Sequence, residues 1–350
     1  MNKNTKKQIL NISFVILLFV IMILMLSNIT DELNFSNIKS FLSSSNPLYL
    51  GLAILCWILF ISFESLSLHI ILKKLGHKPK IKSSIAYTTA DTYYSAITPS
   101  ATGGQPASAF YMVRDGIPGG TAGFSLIFNL VGYTTAILLI GIIAFIFGFN
   151  NFLLLSGFVK TLIVLGFVLQ FFLLLFFILC MCKHTFVKKC CFGIINILCK
   201  LKIVRKREKW IERVDSVINK YNSCYKEFKK HKKLLIPVIL CNFLQRSSQV
   251  LISAFICKAA TNCNIVDIFI LQSLVLLGYN SIPLPGGSIA YEYLYLSIYG
   301  LLFEDSFIVI ALMITRAISY YFSLLISGIY TMIYHLLQTK WNKKNIGEKV

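Results

Sequence analysis

The stretch Pro99-Ser100-Ala101-Thr102-Gly103-Gly104-Gln105-Pro106 interrupts a long apolar part of the sequence, and a second interruption, Pro283-Leu284-Pro285-Gly286-Gly287, lies far downstream. Proline lacks the backbone N–H of a helical hydrogen bond and glycine weakens a helix, so neither stretch fits inside an ordinary membrane helix. Backbone broken at membrane depth is tolerated where it is buried in protein or lines a cavity. Paired interruptions in two halves of a hydrophobic chain indicate the binding site of a transporter.

The composition is typical of a polytopic membrane protein. Of the 350 residues, 56% are hydrophobic and 14% are charged, and the net charge is +20. Soluble globular domains do not combine these properties. The five histidines are scattered without ligand spacing. Because H-E-x-x-H, G-x-S-x-G, Walker A and paired C-x-x-C motifs are also absent from the sequence, we predict no catalytic residues, metal site or cofactor.

Six segments are long and apolar enough to cross a bilayer, which takes about 20 residues. These predicted spans are 8–27, 48–72, 119–148, 152–181, 234–257 and 306–338. The segments that carry the interruptions, 83–113 and 265–303, are interpreted as re-entrant hairpins. The predicted fold is therefore all-α: a single integral membrane domain over 1–350, with six transmembrane helices and two opposed re-entrant hairpins.

Lysines in short segments beside the spans predict the orientation. Both termini are expected in the cytoplasm, because each carries a lysine cluster: Lys3, Lys6, Lys7, Lys340, Lys343 and Lys344. In unit 48–148 the first span then runs from outside to inside. The hairpin enters and leaves on the cytoplasmic face, and the second span returns to the outside. Unit 234–338 runs the opposite way in all three parts. Such an inverted repeat predicts a site near the membrane midplane, at the interface of the two units.

The basic segment 183–233 contains an amphipathic helix by its spacing of Val214, Ile218, Tyr221 and Tyr225. One interpretation places this helix on the cytoplasmic leaflet, where anionic headgroups attract it. The other is a solvated loop with no lipid role. Nucleic acid is not a predicted partner, because membrane topology already accounts for the charge.

Ten cysteines occur without the spacing of an extracellular disulfide framework. We interpret them as reduced thiols that pack as small apolar side chains. The alternatives are a metal site or palmitoylation in the basic segment, and one disulfide between Cys257 and Cys263.

Two arginines lie deep in predicted spans, where a charged side chain is costly and usually functional. Arg246 lies about 18 Å from the inner end of its span and Arg316 about 15 Å from the outer end of its own, at about 1.5 Å per residue. At matching depth, the two guanidinium groups could hold one phosphate. The alternative is an arginine–carboxylate ion pair, with Glu292 or Asp91 as the partner.

Carboxyl groups near the interruptions are candidates for proton coupling or ion pairing. Asp91 and Glu292 are the nearest. Glu64 is favoured as a structural residue, because five positions separate it from His69 on a helix and the two would not share a face closely. A helix that restarts after Gly103-Gly104 or Gly286-Gly287 would present free N–H groups and its positive dipole end to an anion.

Three groups of residues together resemble the lysylphosphatidylglycerol synthase/flippase transmembrane-domain family, over about 8–338. The first group is Thr98-Pro99-Ser100, Gly103-Gly104-Gln105-Pro106 and Arg114-Asp115-Gly116. The second group is Pro283 to Gly287 with Glu292 and Gly300. The third group is Arg316-Ala-Ile-Ser-Tyr320-Tyr321 with Gly328. The resemblance implies a bacterial plasma-membrane protein that handles phospholipids or lipid-linked sugars. Its best understood role is the flipping of aminoacylated phosphatidylglycerol, which protects against cationic antimicrobial peptides.

Bifunctional members of that family carry a soluble C-terminal domain that transfers lysine from tRNA to the lipid. Here only Lys340 to Val350 follows the last predicted span. A phosphatidylglycerol lysyltransferase activity is therefore not expected of this chain by itself.

The predicted function is that of a stand-alone flippase for anionic or aminoacylated phosphatidylglycerol or a related lipid. The alternatives are a membrane scaffold for a separate soluble synthase or glycosyltransferase, and a proton-coupled small-solute transporter. The sequence is also compatible with an oligomer. Glu64, Asp91 and Arg114 are predicted to serve in coupling or ion pairs. The predicted substrate-binding residues are Pro99, Gly103, Gly104, Pro106, Arg246, Pro283, Pro285, Gly286, Gly287, Glu292, Arg316 and Tyr320.

Overall fold

The computed structural model describes residues 35–98, 101–183, 185–189, 192–193, 207–280 and 290–347. These residues form helices and connecting turns, with no β-strand among them, so the all-α prediction is confirmed for this part of the chain. The predicted span 8–27, Pro99 and the whole second interruption lie outside the described residues.

The helices of the first half are α1 (Phe35–Ser44), α2 (Pro47–Lys74), α3 (Ile81–Ile97), α4 (Gly104–Arg114), α5 (Gly119–Phe147), α6 (Phe149–Leu154) and α7 (Gly157–Cys182). Those of the second half are α8 (Arg207–Lys230), a 3₁₀ turn (Lys232–Leu234), α9 (Leu235–Ala260), α10 (Ile265–Tyr279), α11 (Ala290–Tyr299), α12 (Asp305–Arg316), a π-helical turn (Ala317–Phe322) and α13 (Ser323–Gly347). Because α12, the π-helical turn and α13 are continuous, we call them the last helix.

Five of the described helices are long and apolar enough to cross a membrane, and they correspond to five of the six predicted spans. They are Pro47–Lys74, Gly119–Phe147, Gly157–Cys182, Lys232–Ala260 and Asp305–Gln338. The predicted start of the fourth span, residue 152, is wrong. The helix begins at Gly157 because the Ser156 hydroxyl accepts a hydrogen bond from the Val159 N–H at 3.4 Å and caps it.

A polar cluster fastens the central helices α2, α5 and α9 to one another. The Ser67 hydroxyl donates to Asn129 Oδ1 at 2.6 Å, and Asn242 Nδ2 donates to the same oxygen at 3.1 Å. All three side chains are buried. Hydrogen bonds between membrane helices contribute on the order of 0.6–2 kcal/mol each. This cluster therefore stabilises the packing of α2, α5 and α9 against one another.

Each interrupted segment folds as two helices that pack against each other, α3 with α4 and α10 with α11. The base of the first pair contacts the C-terminal part of the last helix. Here Asp115 accepts hydrogen bonds from the Tyr87 and Tyr334 hydroxyls, both at 2.6 Å, and Arg114 Nη1 lies 2.8 Å from His335 Nδ1.

The base of the second pair contacts the opposite end of the last helix. After α11 the chain turns so that the Phe303 and Phe307 rings lie 4.8 Å apart, directly beside Glu304. Glu304 and His335 are about thirty residues apart on the last helix, or roughly 45 Å at 1.5 Å per residue. The two helix pairs therefore enter the bundle from opposite ends; that these ends are the two membrane faces stays a prediction.

The basic helix α8 docks on protein rather than presenting its apolar face to lipid. Its buried residues Ile218, Tyr221, Cys224 and Phe228 face α5, where the Phe228 ring lies 4.8 Å from that of Phe128. The Tyr221 hydroxyl also donates to the Cys180 carbonyl at 2.9 Å. The described part of the segment is a helix, as its spacing indicates, so the interpretation as a loop is wrong. Its apolar stripe is buried by α5 and α7, and the attraction of its basic face to anionic headgroups stays a prediction.

The same helix lies beside the lysine-rich turn between α2 and α3. Partial burial and the nearby Lys220 ammonium group lower the pKa of His77 in that turn. The base of the first helix pair, α8 and the end of the last helix thus share one end of the bundle. Of the cysteines described, Cys257 and Cys263 are both free thiols, so the alternative of a disulfide between them is wrong.

Labelling tests whether the two ends of the bundle face opposite sides of the membrane. Lys78 and Glu304 are exposed, one near the base of the first helix pair and one beside the base of the second. In a cysteine-free background, Lys78→Cys and Glu304→Cys should react with a membrane-impermeant maleimide from opposite sides. Labelling of both from the same side would exclude an inverted repeat.

Candidate functional site

A cavity of about 570 Å³ lies where the two interrupted segments meet inside the bundle. Ala96, Ala101 and Gln105 line it from the first segment, at the ends of α3 and α4. Tyr279 and Asn280 line it from the second segment, at the end of α10. Although the two pairs enter from opposite ends, both therefore reach the same cavity.

The remaining walls come from the long helices, with polar side chains on every side. Arg246 and Arg316 both line the cavity, as the predicted pairing of the two arginines requires. Further polar lining residues are Glu64, Asp91, Thr92, Ser95, Asn129, Tyr133, Thr134, Gln170, Gln249, Gln272, Tyr291, Thr315, Ser319, Tyr320 and Ser323.

The Arg246 guanidinium lies between aromatic rings. It sits 4.2 Å from the ring centre of Tyr133 and 5.2 Å from that of Phe60, and Nη1 donates to Gln249 Oε1 at 2.6 Å. A desolvated cation over an aromatic face gains about 2 kcal/mol or more. Arg246 has no carboxylate within 4 Å among the described residues, and its buried Nε has no hydrogen-bond partner there. No carboxylate pairs directly with this cation among the described residues, so its guanidinium keeps a donor for an anionic ligand.

Arg316 has a different environment, because it forms an ion pair. Its Nε and Nη2 lie 3.0 and 2.9 Å from Glu292 Oε1, and the guanidinium is 4.0 Å from the ring centre of Tyr291. The alternative of an arginine–carboxylate pair is thus observed for Arg316, with Glu292 and not Asp91 as partner. The two arginines share one cavity without being equivalent.

The π-helical turn directly follows Arg316. Such turns are often found at functional sites, since the extra residue in the turn redirects the side chains around it. Here Ser319 and Tyr320 line the cavity, and the Tyr320 hydroxyl donates to the Ala96 carbonyl at 3.0 Å. This bond joins the last helix to the end of α3 and satisfies a carbonyl that the helix leaves unpaired.

Glu64 and Asp91 approach each other on one wall of the cavity. Their side chains are within hydrogen-bonding reach of one another, and both are more than nine-tenths buried. Gln245 Nε2 donates to Glu64 at 2.6 Å, while Gln105 Nε2 donates to Asp91 at 2.6 Å. Glu64 therefore lines the cavity beside Asp91, and its role in coupling stays a prediction.

The other predicted residues differ in where they lie. The Gly103 N–H donates to Thr98 Oγ1 at 2.9 Å and helps to close the first interruption. Pro106 is exposed and does not line the cavity. Arg114 lies at the base of the first pair, against His335. His69 contacts Ser84 at 3.2 Å and not Glu64.

Gly104 is needed for a close approach between the two arms of the first pair. A Cβ at this position would overlap Asp91 Oδ1 and Ser95 Oγ, and it would lie 2.8 Å from the Asp91 carbonyl oxygen. The absence of a side chain lets the N-terminus of α4 reach the Asp91 carboxylate.

Several lining residues were missed by the sequence analysis, among them Tyr133, Gln170, Gln249 and Gln272. They carried a usable signal, because amide side chains are uncommon in apolar spans and face protein or a cavity when they occur. Gln170 is an example: it is buried, although it lies on α7, the most apolar of the spanning helices.

Replacement of Gly104 tests the close approach. Gly104→Ala should push α4 away from Asp91 and lower the stability of the purified protein by about 1–3 kcal/mol, as overpacking does. The matched control is Gly123→Ala, where a Cβ meets nothing within 4 Å. A thermal-unfolding midpoint that falls for Gly104→Ala and not for Gly123→Ala is the expected result; equal midpoints would contradict this packing.

Comparison with known proteins adds one finding to this geometry. The family described as lysylphosphatidylglycerol synthase TM region matches residues 9–327, which is most of the chain. No curated protein matches the chain. The five apolar helices and the family together show a multi-pass membrane protein connected with lipids. The chain therefore belongs to the family of the lysylphosphatidylglycerol synthase transmembrane region.

Proposed function

We propose that this protein moves a phospholipid with an anionic phosphate between the two leaflets of a bacterial plasma membrane, and that both of its termini are cytoplasmic. Anionic or aminoacylated phosphatidylglycerol, or a related lipid, is the proposed substrate. The observation that carries the proposal is the cavity between the two helix pairs, which holds Arg246 without a carboxylate partner among the described residues.

The size and lining of the cavity suit a headgroup rather than a whole lipid. Its volume of about 570 Å³ lies within the range of pockets for small molecules, roughly 300–1,000 Å³. Acyl chains would have to stay in the bilayer while the headgroup crosses. Polar side chains and two guanidinium groups can replace the water that a phosphate loses on entry.

A lateral route for the acyl chains is suggested by α7. This helix contributes Gln170, Leu173 and Phe177 to the cavity wall, yet only 17% of its most apolar window is buried inside the protein. On its outer side Phe172 and Phe176 are exposed. A helix that faces the cavity on one side and hydrocarbon on the other allows a headgroup inside and chains outside.

We assign unequal roles to the two arginines. Arg246 is the primary phosphate ligand because it has an unused donor and no carboxylate partner among the described residues. Arg316 becomes a ligand only if the phosphate competes with Glu292 for it. A buried ion pair that loses one partner leaves an uncompensated charge, so Glu292 also limits when Arg316 is available.

Reconstitution with fluorescent phosphatidylglycerol and its lysyl derivative tests this function. Translocation should exceed that of protein-free vesicles, and Arg246→Gln should slow it at least tenfold because the headgroup loses its main cationic ligand. Arg246→Lys should retain part of the rate, since it keeps the charge but not the forked donor.

The matched control is Lys258→Gln, which removes a positive charge from the outer end of the same helix. Lys258 hydrogen-bonds Asn262 and does not line the cavity. This variant should translocate lipid at the wild-type rate. The proposal fails if wild type does not exceed empty vesicles, or if Arg246→Gln and Lys258→Gln behave alike.

A further inference from the structure

We propose that Glu64 and Asp91 bind one proton between them and form the site that couples lipid movement to a proton gradient. This inference rests on the proposed function for its transport role, but not for proton binding itself. It is carried by the placement of the two carboxyl groups: both are buried, both line the cavity wall where α2 meets the first helix pair, and each accepts a hydrogen bond from a glutamine amide.

A hydrogen bond between the Glu64 and Asp91 carboxyl groups requires a proton on one of them. Two ionised carboxylates are acceptors only and cannot hydrogen-bond to each other, whereas one protonated and one ionised carboxyl group can. Both side chains are buried, so bulk solvent screens the two charges little. Like charges at such a distance do not both ionise readily in a buried site.

The surroundings assign the ionised form to Asp91. Asp91 accepts hydrogen bonds from Ser95 Oγ at 3.0 Å and Gln105 Nε2 at 2.6 Å. The N-terminus of α4 also approaches it through Gly104, and a helix N-terminus favours a negative charge. Glu64 receives one donor, Gln245 Nε2 at 2.6 Å. Glu64 therefore carries the proton and donates it to Asp91.

An unused hydrogen-bond acceptor lies next to the pair. Gln245 is fully buried, and while its Nε2 donates to Glu64, its Oε1 has no hydrogen-bond partner. The side-chain amide can turn over, so that its oxygen accepts the proton of Glu64 if Asp91 moves away. The site can thus hold its proton with the first helix pair either in contact or displaced.

The other charged and titratable groups that line the same cavity come from six elements. From α9 the cation is Arg246, which interacts electrostatically with both carboxyl groups. The others are Tyr133 on α5, Tyr279 on α10, Tyr291 on α11, Arg316 on α12 and Tyr320 on the π-helical turn, while α4 contributes the neutral Gln105. With one shared proton, the remaining negative charge balances Arg246. Arrival of a phosphate at Arg246 would remove that balance and favour uptake of a second proton.

Infrared spectroscopy of the purified protein tests proton binding without any lipid transport. Wild type should show the C=O stretching band of a buried protonated carboxyl group, and Glu64→Gln should abolish it. Asp91→Asn should shift or abolish the band, because Glu64 loses its ionised acceptor and the like charge that favours its protonated form. The control Glu227→Gln removes an exposed carboxyl group on α8 and should change nothing in this band.

Three outcomes would exclude the shared proton. The band could be absent from wild type, it could persist in Glu64→Gln, or its frequency could be the same in Asp91→Asn as in wild type. If Glu64→Gln does not fold, Asp91→Asn still decides, since an unshifted band excludes a shared proton.

Vesicles with an imposed pH gradient test the coupling. Reversing the gradient should change the translocation rate of wild type and leave that of Glu64→Gln the same. If the infrared band is present but no lipid moves, proton binding stands and the proposed function fails. If lipid moves and wild type ignores the gradient, the proposed function stands and the coupling fails.

Discussion

A helix that ends inside an apolar bundle leaves backbone N–H and C=O groups without helical partners, and these groups cannot face hydrocarbon. The structure meets this constraint at the first interruption with local bonds: the Thr98 hydroxyl accepts from the Gly103 N–H, and Tyr320 donates to the Ala96 carbonyl. The broken ends must therefore lie within the protein. Because two such ends meet from opposite sides, they enclose a polar cavity where an unbroken bundle would have a packed core.

The charges in the cavity follow from the same constraint. A buried guanidinium needs either a carboxylate or aromatic faces and neutral donors or acceptors around it. Arg316 has Glu292, whereas Arg246 has Tyr133, Phe60 and Gln249. The direct contacts of Arg246 are therefore all neutral, and the only negative charge that acts on it among the described residues comes from the Glu64–Asp91 pair. We therefore propose that the cavity binds a ligand that brings negative charge.

Hydropathy alone predicted five of the described spans, because an apolar run of the right length has few other structures open to it. It could not predict the docking of α8: an amphipathic stripe indicates that a face is buried, and not whether lipid or protein buries it. Phe228 meets Phe124 and Phe128 across about a hundred residues of sequence, and no local pattern encodes that contact.

The same limit explains the partial success at the site. Depth along a span placed Arg246 and Arg316 at comparable levels, and both line the cavity. Depth does not give the angle about the helix axis, which decides that Arg316 meets Glu292 and that Glu64 meets Asp91 instead of His69. Those angles depend on the packing of α2, α5 and α9, which the buried Asn242 cluster fixes through contacts far apart in sequence.

We have proposed that the ends of both helix pairs and Arg246 enclose one headgroup site. Electron cryomicroscopy of the chain in nanodiscs that contain phosphatidylglycerol would test it most directly. We expect density for a phosphate within hydrogen-bonding distance of the Arg246 guanidinium, between Ala101 and Asn280, with acyl chains passing beside α7. Lipid density confined to the outer surface of the bundle, with Arg246 shielded from the cavity, would contradict it.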